Sequence, residues 1–338
     1  MVARALLDEL TFGTVSRRER PVASHLPYTR HVDDHIIKTR DGLVLTVLKL
    51  DGYSFETSDM SEVNARLLGR NDVVRTLANS RFALAAHIIR REVQPRIEST
   101  FDNPLCRELD ERYDAALSQR RMFVNDIYLT LVRRPLQGQA GTFDVMLTKL
   151  LGRKDEAGES VAAQTAVTEL RDAATAVREN LAGYGARQLA VVRREGLWFS
   201  EPLEFLVQLI NGGIPRPMHL PRMNIADALS MKRIFFGRNA IEIRGAGPED
   251  TRFGAMVSIR EYPAQTGPGS FDNLLRVPHE FIATQTFAIV DRPEAAKQID
   301  RVSRQVDMSD EAGSIVAEHL DDARDELLAS EAIYGEHH

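Results

Sequence analysis

Phe82-Ala83-Leu84-Ala85-Ala86-His87-Ile88-Ile89 is the stretch on which the fold turns. It is apolar on both faces, with His87 as its one polar side chain, so it reads as a central strand covered above and below. Such a strand needs a layer of packed elements on each side. The histidine inside it is read as a core residue with satisfied hydrogen bonds and not as a catalytic base.

Working back towards the N-terminus, Met60, Val63, Leu67, Val74 and Leu77 recur every three to four residues, which predicts a helix with one buried stripe. Ser58 or Asp59 caps it, with Glu62 near the capping-box position. Two β-branched runs, Ile36 to Lys38 and Leu43 to Leu50, flank Arg40-Asp41-Gly42, a tight-hairpin signal because glycine takes positive φ without steric cost. Residues 1–26, with Arg17, Arg18, Arg20, Gly13 and Pro21, read as an arm.

Working forwards, Asn103-Pro104 supplies a cap and a first-turn proline for a helix whose stripe is Leu105, Leu109, Tyr113 and Leu117. A strand is predicted at Val124 to Val132. Gln137 to Gly158 is the least ordered stretch by composition. A helix then runs from about Ser160 to Ala182 and is ended by Gly183 and Gly185. A short strand at Leu189 to Val192 completes an order β-β-α-β-α-β-α-β, and a short helix at Pro202 to Ile210 follows. The expected class is α+β: mixed or antiparallel sheets covered by helices, in two α/β subdomains that suit ferredoxin-like halves.

Asn211 to Pro217, with Pro221 beyond, is the densest cluster of breakers, and it places a junction between a first domain over 27–212 and a second over 213–338. The second part carries expected strands at Ile234 to Phe236, Ala240 to Arg244, Arg252 to Ile259 and Phe281 to Val290. A turn or short helix is expected between Gly267 and Leu275. A long helix or helix pair begins at Pro293, with Asp291 and Glu294 as its capping pair, and reaches about Ser330. The sequence then stops at Ile333 to His338, where a return strand is expected. The second domain therefore reads as truncated and the chain as a fragment.

The 338 residues, 43% apolar and 27% charged, describe an ordinary globular protein long enough for two cores. A net charge of -6 gives no overall pull towards nucleic acid or anionic lipid. The single cysteine, Cys106, excludes an internal disulfide and suits a reducing compartment. No segment approaches the roughly 18 uninterrupted apolar residues of a membrane span.

Three groups of residues are candidates for chemistry. His31-Val32-Asp33-Asp34-His35 is the one dense cluster of metal-competent groups, but a strand would hold His31 and His35 too far apart for easy joint ligation. The alternative is a polar approach to the strand whose imidazoles bond backbone. Arginine pairs at 90–91, 120–121, 133–134 and 193–194 could line one basic rim for phosphates, although acidic neighbours favour a salt-bridged rim. Cys106 sits in the first turn of a helix and reads as a small packed residue. His337-His338 are adjacent, so on a strand they point to opposite faces.

Several segments resemble the N-terminal half of the CagE/TrbE/VirB family of type IV secretion ATPases. They are Leu26-Pro27-Tyr28, the His-x-x-Asp-His-Ile pattern of His31 to Ile36, Asp51-Gly52 with Phe55-Glu56, and Gly185 before Leu189. Arg260-Glu261-Tyr262-Pro263-Ala264, Thr284-Gln285-Thr286-Phe287 and the closing Tyr334-Gly335-Glu336-His337-His338 extend the likeness along the chain in order.

The resemblance implies an α/β region that precedes a RecA-like motor, hexameric assembly, and a peripheral cytoplasmic position at a bacterial inner membrane. It also implies contacts with small inner-membrane secretion subunits and with neighbouring protomers. ATP and Mg are then expected for the full-length protein. This sequence has no G-x-x-x-x-G-K-[ST] phosphate cradle, so no catalytic or cofactor-binding residue carries over. The expected role is docking and assembly, through the arm and the exposed side of the helix from Glu294. The rival readings are a nucleic-acid module on the arginine rim and a metal hydrolase at His31 and His35.

Overall fold

Nothing polar but His87 interrupts the first eight residues of a strand that runs on to Val93 and lies deep inside an eight-stranded antiparallel sheet. In the computed structural model the described residues are 19–53, 58–77, 81–94, 100–134, 156–259, 272–290, 292–304, 320–325 and 335–337. Their elements are β1 (Tyr28–His31), β2 (Ile37–Thr39), β3 (Val44–Leu50), α1 (Met60–Thr76), β4 (Phe82–Val93), α2 (Pro104–Ser118) and β5 (Met122–Arg133). Next come α3 (Glu156–Asn180), β6 (Arg187–Gln188), β7 (Val191–Arg194), β8 (Leu197–Ser200), α4 (Glu201–Ile210) and α5 (Ile225–Leu229). The chain continues through β9 (Arg233–Phe236), β10 (Ile241–Arg244), β11 (Arg252–Gly254), α6 (Asp272–Leu275), β12 (Phe281–Ile289), α7 (Arg292–Ser303) and β13 (Gly335–His337).

The large sheet has the order β1-β2-β3-β5-β4-β12-β13, and β6 pairs with β3 beyond the end of β2. Alternation along the strands divides their side chains between two cores. Val44, Leu48, Leu84, Leu131 and Ile289 face α1 and α3, where Val73, Leu77, Leu170, Val177 and Leu181 meet them. Leu45, Val47, Ile89 and Tyr128 face the opposite way, against Leu203, Phe205, Leu206 and Val207 of α4 and Ile225 and Leu229 of α5. Helices therefore cover the sheet on both faces. Leu48, Leu131, Leu170 and Leu203 are each 0% exposed, and burial of such a side chain contributes about 1.5–3 kcal/mol. A hairpin of β7 and β8 and a three-stranded sheet in the order β11-β10-β9 stand beside this body.

Local chemistry explains the ends. Ser200 caps α4 by accepting a hydrogen bond from the Leu203 amide at 3.2 Å, with Pro202 in the first turn. Asn103 does the same for α2 through the Leu105 amide at 3.0 Å. Gly185, at φ 65°, turns the chain from α3 into β6, and the Asp51 side chain fills the space where a Cβ would stand.

The α+β class and the covered central strand agree with the sequence reading; several details differ. Val73 is buried on α1 in place of Val74, and Met60 is 71% exposed. β1 was not anticipated, because an edge strand is half-buried and its Tyr-Thr-Arg-His has no apolar alternation. The strand expected at Leu189 to Val192 is broken into β6 and β7, and β8 returns beside β7 through Glu195-Gly196. Regular pairing in β11 ends at Gly254, short of the expected Ile259.

The expected boundary at 212/213 does not separate two sheets. β12 pairs with β4 from Phe281↔Arg90 to Ala288↔Ala83, so the main sheet crosses it. The breakers at Asn211 to Pro217 instead lead from α4 towards the small three-stranded sheet. The return strand thought to be missing is represented by β13, paired to β12 at Gly335↔Ile289 and His337↔Phe287. The arm up to residue 18 and the part of the expected long helix that falls on residues 305–319 lie outside the described residues.

Candidate functional site

The two histidines that could share a metal serve different neighbours. His31, at the end of β1, has Nδ1 3.3 Å from the Asp33 carbonyl oxygen and Nε2 3.0 Å from Ser200 Oγ. A carbonyl can only accept, so Nδ1 carries the proton and Nε2 accepts from the serine hydroxyl. Burial lowers the His31 pKa in spite of the nearby carboxylates, which fits a neutral ring. His35 instead donates from Nδ1 to the Leu189 carbonyl at 2.9 Å.

Asp33 is the staple of this loop. Its Oδ1 accepts from the His35 and Ile36 amides, each at 2.8 Å, and its Oδ2 from Arg171 at 2.8 Å. Burial alone would raise its pKa, but the Arg171 and amide hydrogen bonds overcome that and hold it below the usual carboxylate range. The loop is thus tied to α3, to the link between β6 and β7 and to the cap of α4. Among the described residues no group of three or more His, Cys, Asp and Glu side chains is arranged to hold a metal. The side chain of His337 and all of His338 lie outside the described residues.

His87 is enclosed. Its Nδ1 lies 3.0 Å from Thr284 Oγ1 on β12 and its Nε2 lies 3.1 Å from Thr130 Oγ1 on β5. The Phe205 ring stands edge-on at 5.2 Å. Burial pushes its pKa down to about 4, so the ring is neutral and ties three adjacent strands together.

The arginine pairs do not make one rim. Because β4 and β5 are antiparallel, with Arg90 opposite Asn125 and Arg133 opposite Phe82, the 90–91 and 133–134 pairs lie at opposite ends of the same hairpin. Most are also spoken for. Arg91 meets Asp126 at 2.7 Å, Arg121 meets Glu92 at 2.7 Å, Arg133 meets Glu169 at 2.8 Å and Arg194 meets Glu204 at 2.7 Å. Arg90 is buried, donating to the Val277 carbonyl at 3.0 Å and to Asn125 at 3.0 Å. Arginines whose charge is already matched have little left for phosphates.

The glycine turns do not fit a triphosphate either. A Cβ on Gly245 would run into the Asp250 carboxylate, one on Gly247 into Glu249, and one on Gly185 into Asp51. Each turn is filled by an anionic group where a phosphate cradle offers open backbone amides. Asp250 itself is held down to about pKa 2 by hydrogen bonds from Lys232 and Arg216.

What the sequence reading missed is apolar surface. The stripe on α2 is real in its spacing, yet Leu105, Leu109 and Tyr113 are 72%, 69% and 54% exposed, and no residue of that helix is buried. Cys106, in its first turn, is partly buried. The exposed side of α7, expected as a contact element, presents Pro293, Lys297 and Arg301, while Ala295 and Ile299 are buried beneath it. No described helix is long and apolar enough to cross a membrane.

Comparison with known proteins gives matches along most of the chain. The family model for the N-terminal domain of the type IV secretion system ATPase VirB4/TrbE matches residues 35–140. The model for the CagE, TrbE, VirB family, a component of type IV transporter systems, matches residues 161–338. The chain belongs to the CagE/TrbE/VirB family.

Relatives in this family include the type IV secretion system protein virB4 of Bartonella henselae, 32% identical over 96% of this chain and 41% of the relative. The virB4 protein of Bartonella quintana is 33% identical over 96% of the chain and 41% of its own length. PtlC of Bordetella pertussis is 27% identical over 98% of the chain and 40% of its own length. The chain thus spans about two fifths of the length of the CagE/TrbE/VirB relatives it matches.

Proposed function

We propose that this chain is the docking and assembly part of a type IV secretion ATPase, holding a motor to inner-membrane subunits and to neighbouring copies at the cytoplasmic face of a bacterial inner membrane. The reading is carried by α2, an amphipathic helix whose Leu105, Leu109 and Tyr113 face solvent. An apolar stripe of this kind on a folded domain marks a surface that another element covers. Family membership supplies the secretion context, and ATP with Mg belongs in this proposal to the whole ATPase and not to the residues described above. The glycine turns filled by Asp250, Glu249 and Asp51 support that division.

The test is a double variant, Leu105→Asp with Leu109→Asp, in a protein carrying this chain. Because neither side chain is buried, the circular dichroism spectrum and thermal midpoint should stay near the parent values. Assembly measured by light scattering, and co-purification with co-expressed inner-membrane secretion subunits, should both fall at least tenfold. Unchanged assembly together with unchanged co-purification would remove the basis for the proposal. Magnesium-dependent ATP turnover by the purified 338-residue chain would refute the division of labour.

A further inference from the structure

α3 covers the middle of the main sheet but not its outer strands. Beside it, over β1 and β2, a cleft of about 800 Å³ opens to solvent. Val32, Val44 and Val167 give it apolar walls, and Arg30, Lys38 and Arg171 give it charge. The register puts Arg30 directly opposite Lys38 across the β1–β2 pair. Like charges directly opposed on neighbouring strands repel. Arg171 is matched by Asp33 at 2.8 Å, but among the described residues neither the Arg30 nor the Lys38 side chain has an acidic partner and no carboxylate lines the cleft.

Scarcity of acid does not explain this. The sequence has 49 acidic residues against 43 basic ones, and the arginines of the β4–β5 hairpin find carboxylates readily. The ligand this cleft suits is therefore anionic, with an apolar side. No aromatic ring stands among its described lining residues, so these offer no platform for stacking a base. Its concave shape takes a short stretch of chain, not the convex face of a second folded copy.

We propose that the cleft docks an acidic, aliphatic-rich peptide segment of a partner protein, its carboxylates on Arg30 and Lys38 and its aliphatic side chains against Val32 and Val167. This rests on the docking role argued above and adds a second contact, lined by none of the residues of α2, with its own chemistry.

The probe is a fluorescent peptide alternating Glu and Leu, titrated by anisotropy into the whole chain. Its Lys/Leu counterpart, a single-stranded oligonucleotide and inorganic phosphate serve as competitors. The variants are Lys38→Glu and Arg30→Glu. Lys38→Glu places a carboxylate opposite Arg30, so its thermal midpoint should hold or rise while affinity for the acidic peptide falls at least tenfold. The Leu105→Asp, Leu109→Asp protein should bind the peptide as the parent does.

Equal binding by parent and Lys38→Glu protein overturns the assignment. So does equal competition by the Lys/Leu peptide or the oligonucleotide, and displacement by phosphate alone would reduce the cleft to a simple anion site. Normal assembly and co-purification with no peptide binding would leave the docking role standing and the cleft without a function in it. Loss of assembly in the α2 variant together with tenfold discrimination at the cleft would establish both.

Discussion

A neutral imidazole held between two threonine hydroxyls makes stability depend on pH in a definite direction. His87 takes up a proton near pH 4 in the folded chain, whereas an unperturbed histidine does so near 6.5. On acidification the unfolded chain binds that proton first, so the contribution is whole above about pH 6.5 and is lost between there and pH 4. The slope is at most about 1.4 kcal/mol per pH unit and the full loss about 3 kcal/mol. Denaturant unfolding of the parent and of His87→Gln at pH 7 and pH 4.5 isolates it, because the carboxylates titrate alike in both. The parent should lose about 2–3 kcal/mol more than the variant over that interval. Equal losses would mean that His87 is open to protonation in the folded state. The histidine's burial was legible from its apolar neighbours. Its partners Thr130 and Thr284 were not, because Thr284 lies 197 residues further along the chain and local pattern carries no trace of such pairing.

Elements show where periodicity informs and where it stops. It names the residues that share a face, and it did so for α2, but it does not say what that face meets; only the structure puts Leu105 and Leu109 in solvent. Capping chemistry is local and was readable, as at Asn103 and Pro104. The β7–β8 hairpin was passed over because its turn is not the usual Asn-Gly or Asp-Gly. Glu195 sits at φ 49° and Gly196 at φ 82°, so both turn residues occupy the left-handed region that suits a two-residue hairpin. Glutamate there carries steric cost that asparagine carries less of. Glu195→Asn should therefore stabilise the chain by about 0.5–1 kcal/mol, seen as a higher midpoint in thermal unfolding. A lower midpoint would show that Glu195 does more for this turn than occupy it.

At the scale of the whole molecule, one sheet gathers strands from both ends of the described chain, so the boundary expected at residue 212 from the sequence is crossed by strand pairing. Breakers mark where the path bends, and the path bends without leaving the body. Cutting there would turn β4 from an inner strand into an edge along the eight pairs it makes with β12. Ile289 would leave the core it shares with Leu84 and Leu131. His87 would lose Thr284, Arg90 the Val277 carbonyl, and Arg134 the Ile289 carbonyl it holds at 2.6 Å. A newly bared apolar edge invites pairing with other chains, and a buried arginine stripped of its acceptor costs several kcal/mol. Residues 1–212 expressed alone should consequently collect in the insoluble fraction or elute as aggregate, while the 338-residue chain stays soluble. Adding residues 272–338 in trans should recover part of the soluble material by restoring β12. A folded, monomeric 1–212 with a cooperative melt would mean that the first six strands of the sheet close without β12, and that the two halves are separate domains after all.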